Sequence, residues 1–192
     1  LFGGMGGARG TRRTARRPGA QTAARGRDIE HPVQISLEEA FHGTTRLLTF
    51  EGGRRIEASI PAGVKSGSKV RLSGQGAEGP RGAGDLYLKV EVQPHPNFER
   101  DGDDLRVDQT VDLFTALLGG EVKVATIDKE VQLTVPPESD SGKTFRLKGL
   151  GMPKLGNSNK RGDLYVTLQI QVPKDLTVEQ KNMFKELQKA VK

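Results

Sequence analysis

Ile56-Glu-Ala-Ser-Ile-Pro61, followed by Ser66-Gly67, Arg71-Leu72-x-Gly74-x-Gly76 and Gly84-Asp85-Leu86-Tyr87, returns later in the chain in nearly the same words. The second version reads Val131-Gln-Leu-Thr-Val-Pro136, Ser141-Gly142, Arg146-Leu147-x-Gly149-x-Gly151 and Gly162-Asp163-Leu164-Tyr165. Pro61 and Pro136 are 75 positions apart, as are Gly76 and Gly151; three additional residues then set the Gly-Asp-Leu-Tyr copies 78 apart. The chain therefore holds a duplicated domain, and 192 residues accommodate two copies of about 75 residues each. A domain that small buries only about 60% of its unfolded surface, in keeping with a hydrophobic fraction of 34%.

Outward from this repeat the pattern is that of short strands. Val33, Ile35 and Leu37 alternate with Gln34 and Ser36, a half-buried strand. Ser36-x-x-Glu39 has capping-box spacing, so Glu38 to His42 form a helical turn closed by Gly43. The second copy repeats the order: a strand at Val107 to Val111, Asp112 as cap, a helix over Leu113 to Leu118, then Gly119. Strands follow at Arg46 to Phe50 and Glu121 to Thr126, at Ile56 to Ile60 and Val131 to Val135, at Lys69 to Leu72 and Thr144 to Leu147, and at Leu86 to Val92 and Leu164 to Val172. The expected fold is mainly β: two tandem small β-sandwich or barrel domains with short helices, over residues 29–98 and 99–174. After Pro173 the period becomes helical. Thr177-x-x-Gln180 is another capping box, and Met183, Phe184, Leu187, Ala190 and Val191 share one face of an amphipathic helix over 175–192. A helix of that length is marginal alone; its apolar stripe predicts a partner surface, either its own domain or a second copy of the chain.

The net charge of +6 is unevenly placed. Arg9, Arg12, Arg13, Arg16, Arg17, Arg25 and Arg27 stand among residues 1–27 without an acidic neighbour, which leaves −1 for the remainder. Residues 1–28 read as a disordered Gly/Arg-rich linker, and Leu1 to Gly7 as the end of a flexible segment joining something upstream. With no cysteine there is no disulfide, thiolate zinc site or thiol nucleophile. No apolar run approaches a membrane span and no signal peptide is visible, so the expectation is a cytoplasmic protein.

Catalytic readings fail on context. Gly74-x-Gly76-x-x-Gly79 spells a dinucleotide fingerprint, but Pro80 to Gly84 follow where a helix should begin, and Gly149 and Gly151 mark the motif as a turn. Asp101, Asp103 and Asp104 lack a calcium-loop pattern, and His31, His42 and His95 are too scattered for a metal site. No cofactor, no metal and no enzymatic activity are expected.

The linking stretch His95-Pro-Asn-Phe-Glu-Arg-Asp-Gly-Asp-Asp-Leu105, with Ser36-Leu-Glu-Glu-Ala-Phe-x-Gly43, Ile60-Pro-Ala-Gly-Val-x-x-Gly67, Leu117-Leu-Gly-Gly120 and both Gly-Asp-Leu-Tyr segments, resembles the C-terminal half of a DnaJ-family J-domain co-chaperone over residues 29–192. The His-Pro-Asp of a J domain is not among these residues; His31-Pro32-Val33 lacks the carboxylate. The cysteine-rich zinc region is missing too, which points to the zinc-free subclass. The resemblance implies a co-chaperone that binds extended apolar segments of unfolded clients and hands them to a DnaK-type ATPase, as a homodimer. It implies a client groove at Val33, Ile35, Leu48, Phe50 and Leu88, Arg46 as the contact for the partner chaperone's acidic tail, and dimerisation through Met183, Phe184, Leu187 and Val191. Comparison of the copies adds to this. Arg46, Leu48, Phe50 and Val33 are matched by Val122, Val124, Thr126 and Gln109, so the first copy carries a specialised surface where the scaffold positions agree. The alternative expectation is a DNA-binding DnaJ-like protein acting through its Arg-rich tail.

Overall fold

The computed structural model describes residues 25–191. The expected linker over 1–28 lies outside them except for its last four residues. Each copy is built from the same parts. In the first, β1 (Ile29–Ile35), α1 (Leu37–His42), β2 (Thr44–Thr49), β3 (Arg55–Ile60), β4 (Lys69–Leu72) and β5 (Leu86–Val92) form a three-stranded sheet in the order β1-β5-β4 and a β2-β3 hairpin. In the second, β6 (Phe98–Asp101), β7 (Asp104–Asp112), α2 (Leu113–Leu118), β8 (Gly120–Ala125), β9 (Glu130–Val135), β10 (Thr144–Leu147), β11 (Pro153–Lys154), β12 (Asn157–Arg161) and β13 (Leu164–Gln171) form a β10-β13-β7-β6 sheet and the hairpins β8-β9 and β11-β12. The chain ends in α3 (Val178–Ala190). The fold is mainly β, as the alternation of apolar residues predicts.

The first and last long strands of each copy pair without a hairpin: β1 runs parallel to β5, and β7 parallel to β13, each in unbroken register. The residues that alternate in sequence also alternate in burial. Ile56, Ala58 and Ile60 on β3, and Leu86, Leu88 and Val90 on β5, are buried; Leu105, Leu164, Val166 and Leu168 fill the second core. Ser36 caps α1 through a complete box with Glu39, and Asp112 caps α2 by accepting from the Phe114 and Thr115 N–H groups.

The paired Gly-Asp-Leu-Tyr segments each hold an aspartate at the head of the last strand, Asp85 fully buried and Asp163 largely so. The Asp85 carboxylate accepts from the Gly74 N–H at 2.9 Å and from Arg71 Nε at 2.7 Å; Asp163 does the same with Gly149 at 2.8 Å and Arg146 at 2.7 Å. The Asp85 N–H donates to Asp28, and the Asp163 N–H to Asp104, both at 2.7 Å. One residue thus ties the glycine turn and the β4 or β10 arginine through its side chain, and the start of the first strand through its backbone, to the last strand.

The three residues that make the second copy longer lie between Gly151 and Gly162, in the segment that forms the β11-β12 hairpin, which reaches back to the first copy. A Cβ on Gly63 would stand 2.5 Å from the Pro153 carbonyl oxygen, so only glycine permits this approach. Arg161 lies over the Phe41 ring, 4.7 Å from its centre, and covers α1. From the linking stretch, Arg100 donates to the carbonyls of Val64 at 2.6 Å, Gly63 at 3.2 Å and Gly102 at 2.9 Å. Its partial burial pushes the guanidinium pKa down, and Asp103 partly offsets this. His95 Nδ1 accepts from the Asn97 and Phe98 N–H groups, which leaves Nε2 to meet Glu38 at 3.0 Å. These contacts set the two domains against each other, an orientation that no local sequence pattern encodes.

Replacing Arg100 by Met leaves three carbonyls without their donor. The expected loss is about 1–3 kcal/mol, measured as a lower urea midpoint, with a larger radius of gyration in solution scattering as the domains part. The aspartate knots predict an acid limb. The Gly74 and Gly149 N–H groups and the paired arginines hold Asp85 and Asp163 below the ordinary aspartate range, against the opposing effect of burial. A carboxylate lowered in this way stabilises the fold above its unfolded pKa of about 3.9 and loses that contribution as pH falls through the folded value. Stability should therefore hold from neutrality to about pH 5 and fall below it; in urea melts across pH, Asp85→Asn should show a shallower acid limb.

Candidate functional site: bare strand edges on the first domain

Among the described residues, the first domain leaves several strand edges bare, those of β1 and β2 included: β1 pairs only with β5 and β2 only with β3. The ring of His31 on β1 meets that of Phe50, just past β2, edge to face at 5.1 Å. In the second domain the corresponding edge of β7 is covered over its first half, because β6 pairs with it antiparallel from Phe98↔Val107 to Asp101↔Asp104.

The expected groove residues fall into two layers. Val33, Ile35 and Leu88 are core, at 6%, 1% and 0% exposure, and form a floor. Leu48 and Phe50 are half-buried and rest on that core. Leu48 sits opposite Ile56 and Arg46 opposite Ala58, so both lie on the inner face of the β2-β3 hairpin. Leu47, on the outer face, is 63% exposed. The counterparts in the second domain are closed: Val124 is fully buried, and Thr126 is 9% exposed with its hydroxyl turned back to the Lys129 carbonyl. A cavity of about 590 Å³ does lie at the second domain, lined by His95, Phe98, Arg106, Gln109 and Thr110 among others, away from Leu48 and Phe50.

Arg46 is already engaged. Its Nη2 donates to Glu39 Oε2 at 2.7 Å, and the same carboxylate accepts from the Ser36 N–H at 2.9 Å and the Thr44 hydroxyl at 3.3 Å. The Ser36 N–H chiefly, with Arg46 and Thr44, lowers the Glu39 pKa, so the pair is ionised at neutral pH. Both partners remain partly exposed, and a pair of this kind stabilises the fold by about 0–1 kcal/mol, which makes Arg46 cheap to redirect to another carboxylate.

The C-terminal helix begins at Thr177 with its capping box complete and touches the second domain through Phe184, 6.2 Å from Phe114. Met183, Leu187 and Val191 stay 67%, 54% and 79% exposed, and no residue of α3 is buried. Phe114, Leu117 and Leu118 of α2 add 51%, 46% and 76% exposure beside them. Sequence reasoning passed over these three, although the signal was in the duplication: Glu38 and His42 of α1 become Phe114 and Leu118 in α2. Open apolar clefts of about 340 and 390 Å³ run between Leu113, Pro173, Leu176 and Phe184 and between Leu117, Phe184, Leu187 and Val191. Among the described residues no cluster of His, Asp and Glu could hold a metal ion, and no helix is long and apolar enough to cross a membrane.

The family model of the DnaJ C terminal domain matches residues 29–173, which is both domains and the linking stretch. The chain belongs to the DnaJ family. It is 41% identical over 187 residues to a chaperone protein DnaJ of Deinococcus proteolyticus, covering 97% of this chain and 56% of that protein. It is 40% identical over 166 residues to chaperone protein DnaJ 2 of Thermus thermophilus, covering 86% and 58%. A curved DNA-binding protein of Coxiella burnetii is 38% identical over 202 residues, covering 97% and 61%. The chain thus spans little more than half the length of these relatives. The family-model match ends at residue 173, before α3 begins.

Proposed function

We propose that this part of a DnaJ-family co-chaperone holds extended apolar segments of unfolded polypeptides in the cleft between β1 and β2, for transfer to a DnaK-type ATPase. One observation carries the reading: Leu48 and Phe50 remain half-open over a finished core, while Val124 and Thr126 at the same places in the second domain are sealed. An extended segment laid along a bare strand edge would gain backbone hydrogen bonds that are indifferent to its sequence. Two or three apolar side chains would add about 1.5–3 kcal/mol each if fully buried, offset by the ordering of the peptide. Weak, unselective binding of micromolar order is the result, as a holder of varied clients requires. Arg46, held only by an exposed pair, is the proposed contact for the acidic tail of the ATPase partner.

The exposed stripe of α3 and the apolar face of α2 support a homodimer, in which two clefts engage one client and gain avidity of about 10²–10⁴. A second reading, DNA binding, is favoured by the Coxiella relative's name and by the arginines of residues 1–27. It rests on that segment alone, since the remainder of the chain sums to −1.

Leu48→Ser combined with Phe50→Ser should leave the fold intact by circular dichroism and remove most suppression of the aggregation of an unfolded client; equal suppression by the folded variant would defeat the cleft reading. A chain ending at Pro173 should sediment as a monomer and the full chain as a dimer. A dimer that survives the truncation would remove α3 from the interface.

A further inference from the structure

Residues 25–28, which composition assigns to the linker, are built into the first domain. The glycine loop Gly74–Gly84 closes around them. The Gly26 N–H donates to the Gly82 carbonyl at 2.9 Å, and the Arg27 carbonyl accepts from the Ala77 N–H at 2.9 Å. The backbones touch so closely that a Cβ on Gly26 would lie 1.8 Å from the Ala77 carbonyl oxygen, and one on Gly84 2.2 Å from that of Arg27. Arg25 then crosses the loop. Its Nε donates to the Ala83 carbonyl at 3.0 Å and its Nη2 reaches the Asp85 carboxylate.

Part of this is common scaffold: in the second domain Asp103 is threaded past Gly151 and Gly162 in the same way. Arg25 is not. Asp101, of opposite charge, stands at its place and pairs with Arg106 instead. Asp85 does not need Arg25, because Arg71 and the Gly74 N–H already satisfy it. Arg25 is half-exposed while the Asp85 side chain is 2% exposed. Its departure therefore leaves no unpaired buried charge, the condition for a contact that can open. The same loop is gripped from the other side. Arg54, in the turn between Phe50 and β3, donates to the Gly76 carbonyl at 3.1 Å and to Gln75 Oε1 at 2.6 Å.

We propose that Arg25–Asp28 is a releasable latch: it fixes where the upstream chain leaves the first domain and, through the glycine loop and Arg54, steadies the turn that carries Phe50 at the mouth of the cleft. The second half rests on the cleft reading; the first does not. A load or a competing anion that draws Arg25 away loosens the loop, and the loosened turn holds its client less well.

The test is amide hydrogen exchange on the full chain, with Gly151 and Gly162 as internal controls. Arg25→Ala should speed exchange at Gly26, Ala77 and Gly84 by tenfold or more, on the order expected when a local structure opens without global unfolding, and leave Gly151 and Gly162 unchanged. Unchanged exchange at Gly26, Ala77 and Gly84, or equal acceleration at Gly151 and Gly162, overturns the latch. Fluorescence anisotropy with a labelled peptide rich in Leu and Phe reads the coupling. Arg25→Ala and Arg54→Ala should each weaken binding by about two- to thirty-fold, the span of couplings of this kind, with Arg54→Ala sparing the Gly26 amide. If both variants bind as the wild type does while Leu48→Ser/Phe50→Ser does not, the cleft stands and the coupling is refuted. If the wild type fails to bind, the cleft reading and the coupling fall together, and the exchange measurement still decides the latch.

Discussion

A hydrogen-bonded aspartate at the head of the last strand holds each domain together. Asp85 and Asp163 sit where a glycine turn, an arginine from the neighbouring strand and the backbone of the first strand converge, and each collects donors from all of them. A parallel pairing of first and last strands has no hairpin to fix its register; here the aspartate backbone does so, its N–H bound to the side chain and its carbonyl to the backbone of the incoming strand. The glycines around it are the counterpart of that demand, since two backbones pass within reach of a missing Cβ at Gly84 and Gly162. The Gly-Asp-Leu-Tyr phrase is therefore a physical unit, and its repetition in the sequence follows from the same knot being tied twice.

Much of the fold was legible in the sequence because its signals are local. Alternation marked β1, β3, β5 and their counterparts, and the capping boxes picked out Ser36 and Thr177 as N-caps, with the helices themselves starting at Leu37 and Val178. What alternation does not carry is pairing. The parallel arrangement of β1 with β5 and the docking of the lengthened β11-β12 segment against Gly63 and Phe41 arise between segments distant in sequence. Residues 25–28 were hidden for a related reason: a Gly-Arg composition describes an unattached chain well, and only the facing glycines of the loop show that it is held.

The candidate site was legible in the same measure. Strand parity put Arg46, Leu48 and Phe50 on one face, and the structure keeps them there. Depth was not readable, because an isoleucine in a floor and one in a wall look alike in sequence; Ile35 and Leu88 proved to lie wholly under the surface. Comparison of the two copies supplied what periodicity could not. It separated Leu48 from Val124, and applied to α1 and α2 it would also have marked Phe114 and Leu118 as apolar where the scaffold asks for nothing apolar.

The parallel pairs have a mechanical meaning. The upstream chain joins β1 at its N-terminal end, and the path onward leaves β5 at its C-terminal end; β7 and β13 repeat this, with α3 beyond. Tension applied between the upstream chain and α3 thus pulls each pair lengthwise from opposite ends. Its hydrogen bonds are loaded together in shear and cannot be peeled one at a time. Both domains are clamps set in series along the line of pull, suited to hold their shape under that load.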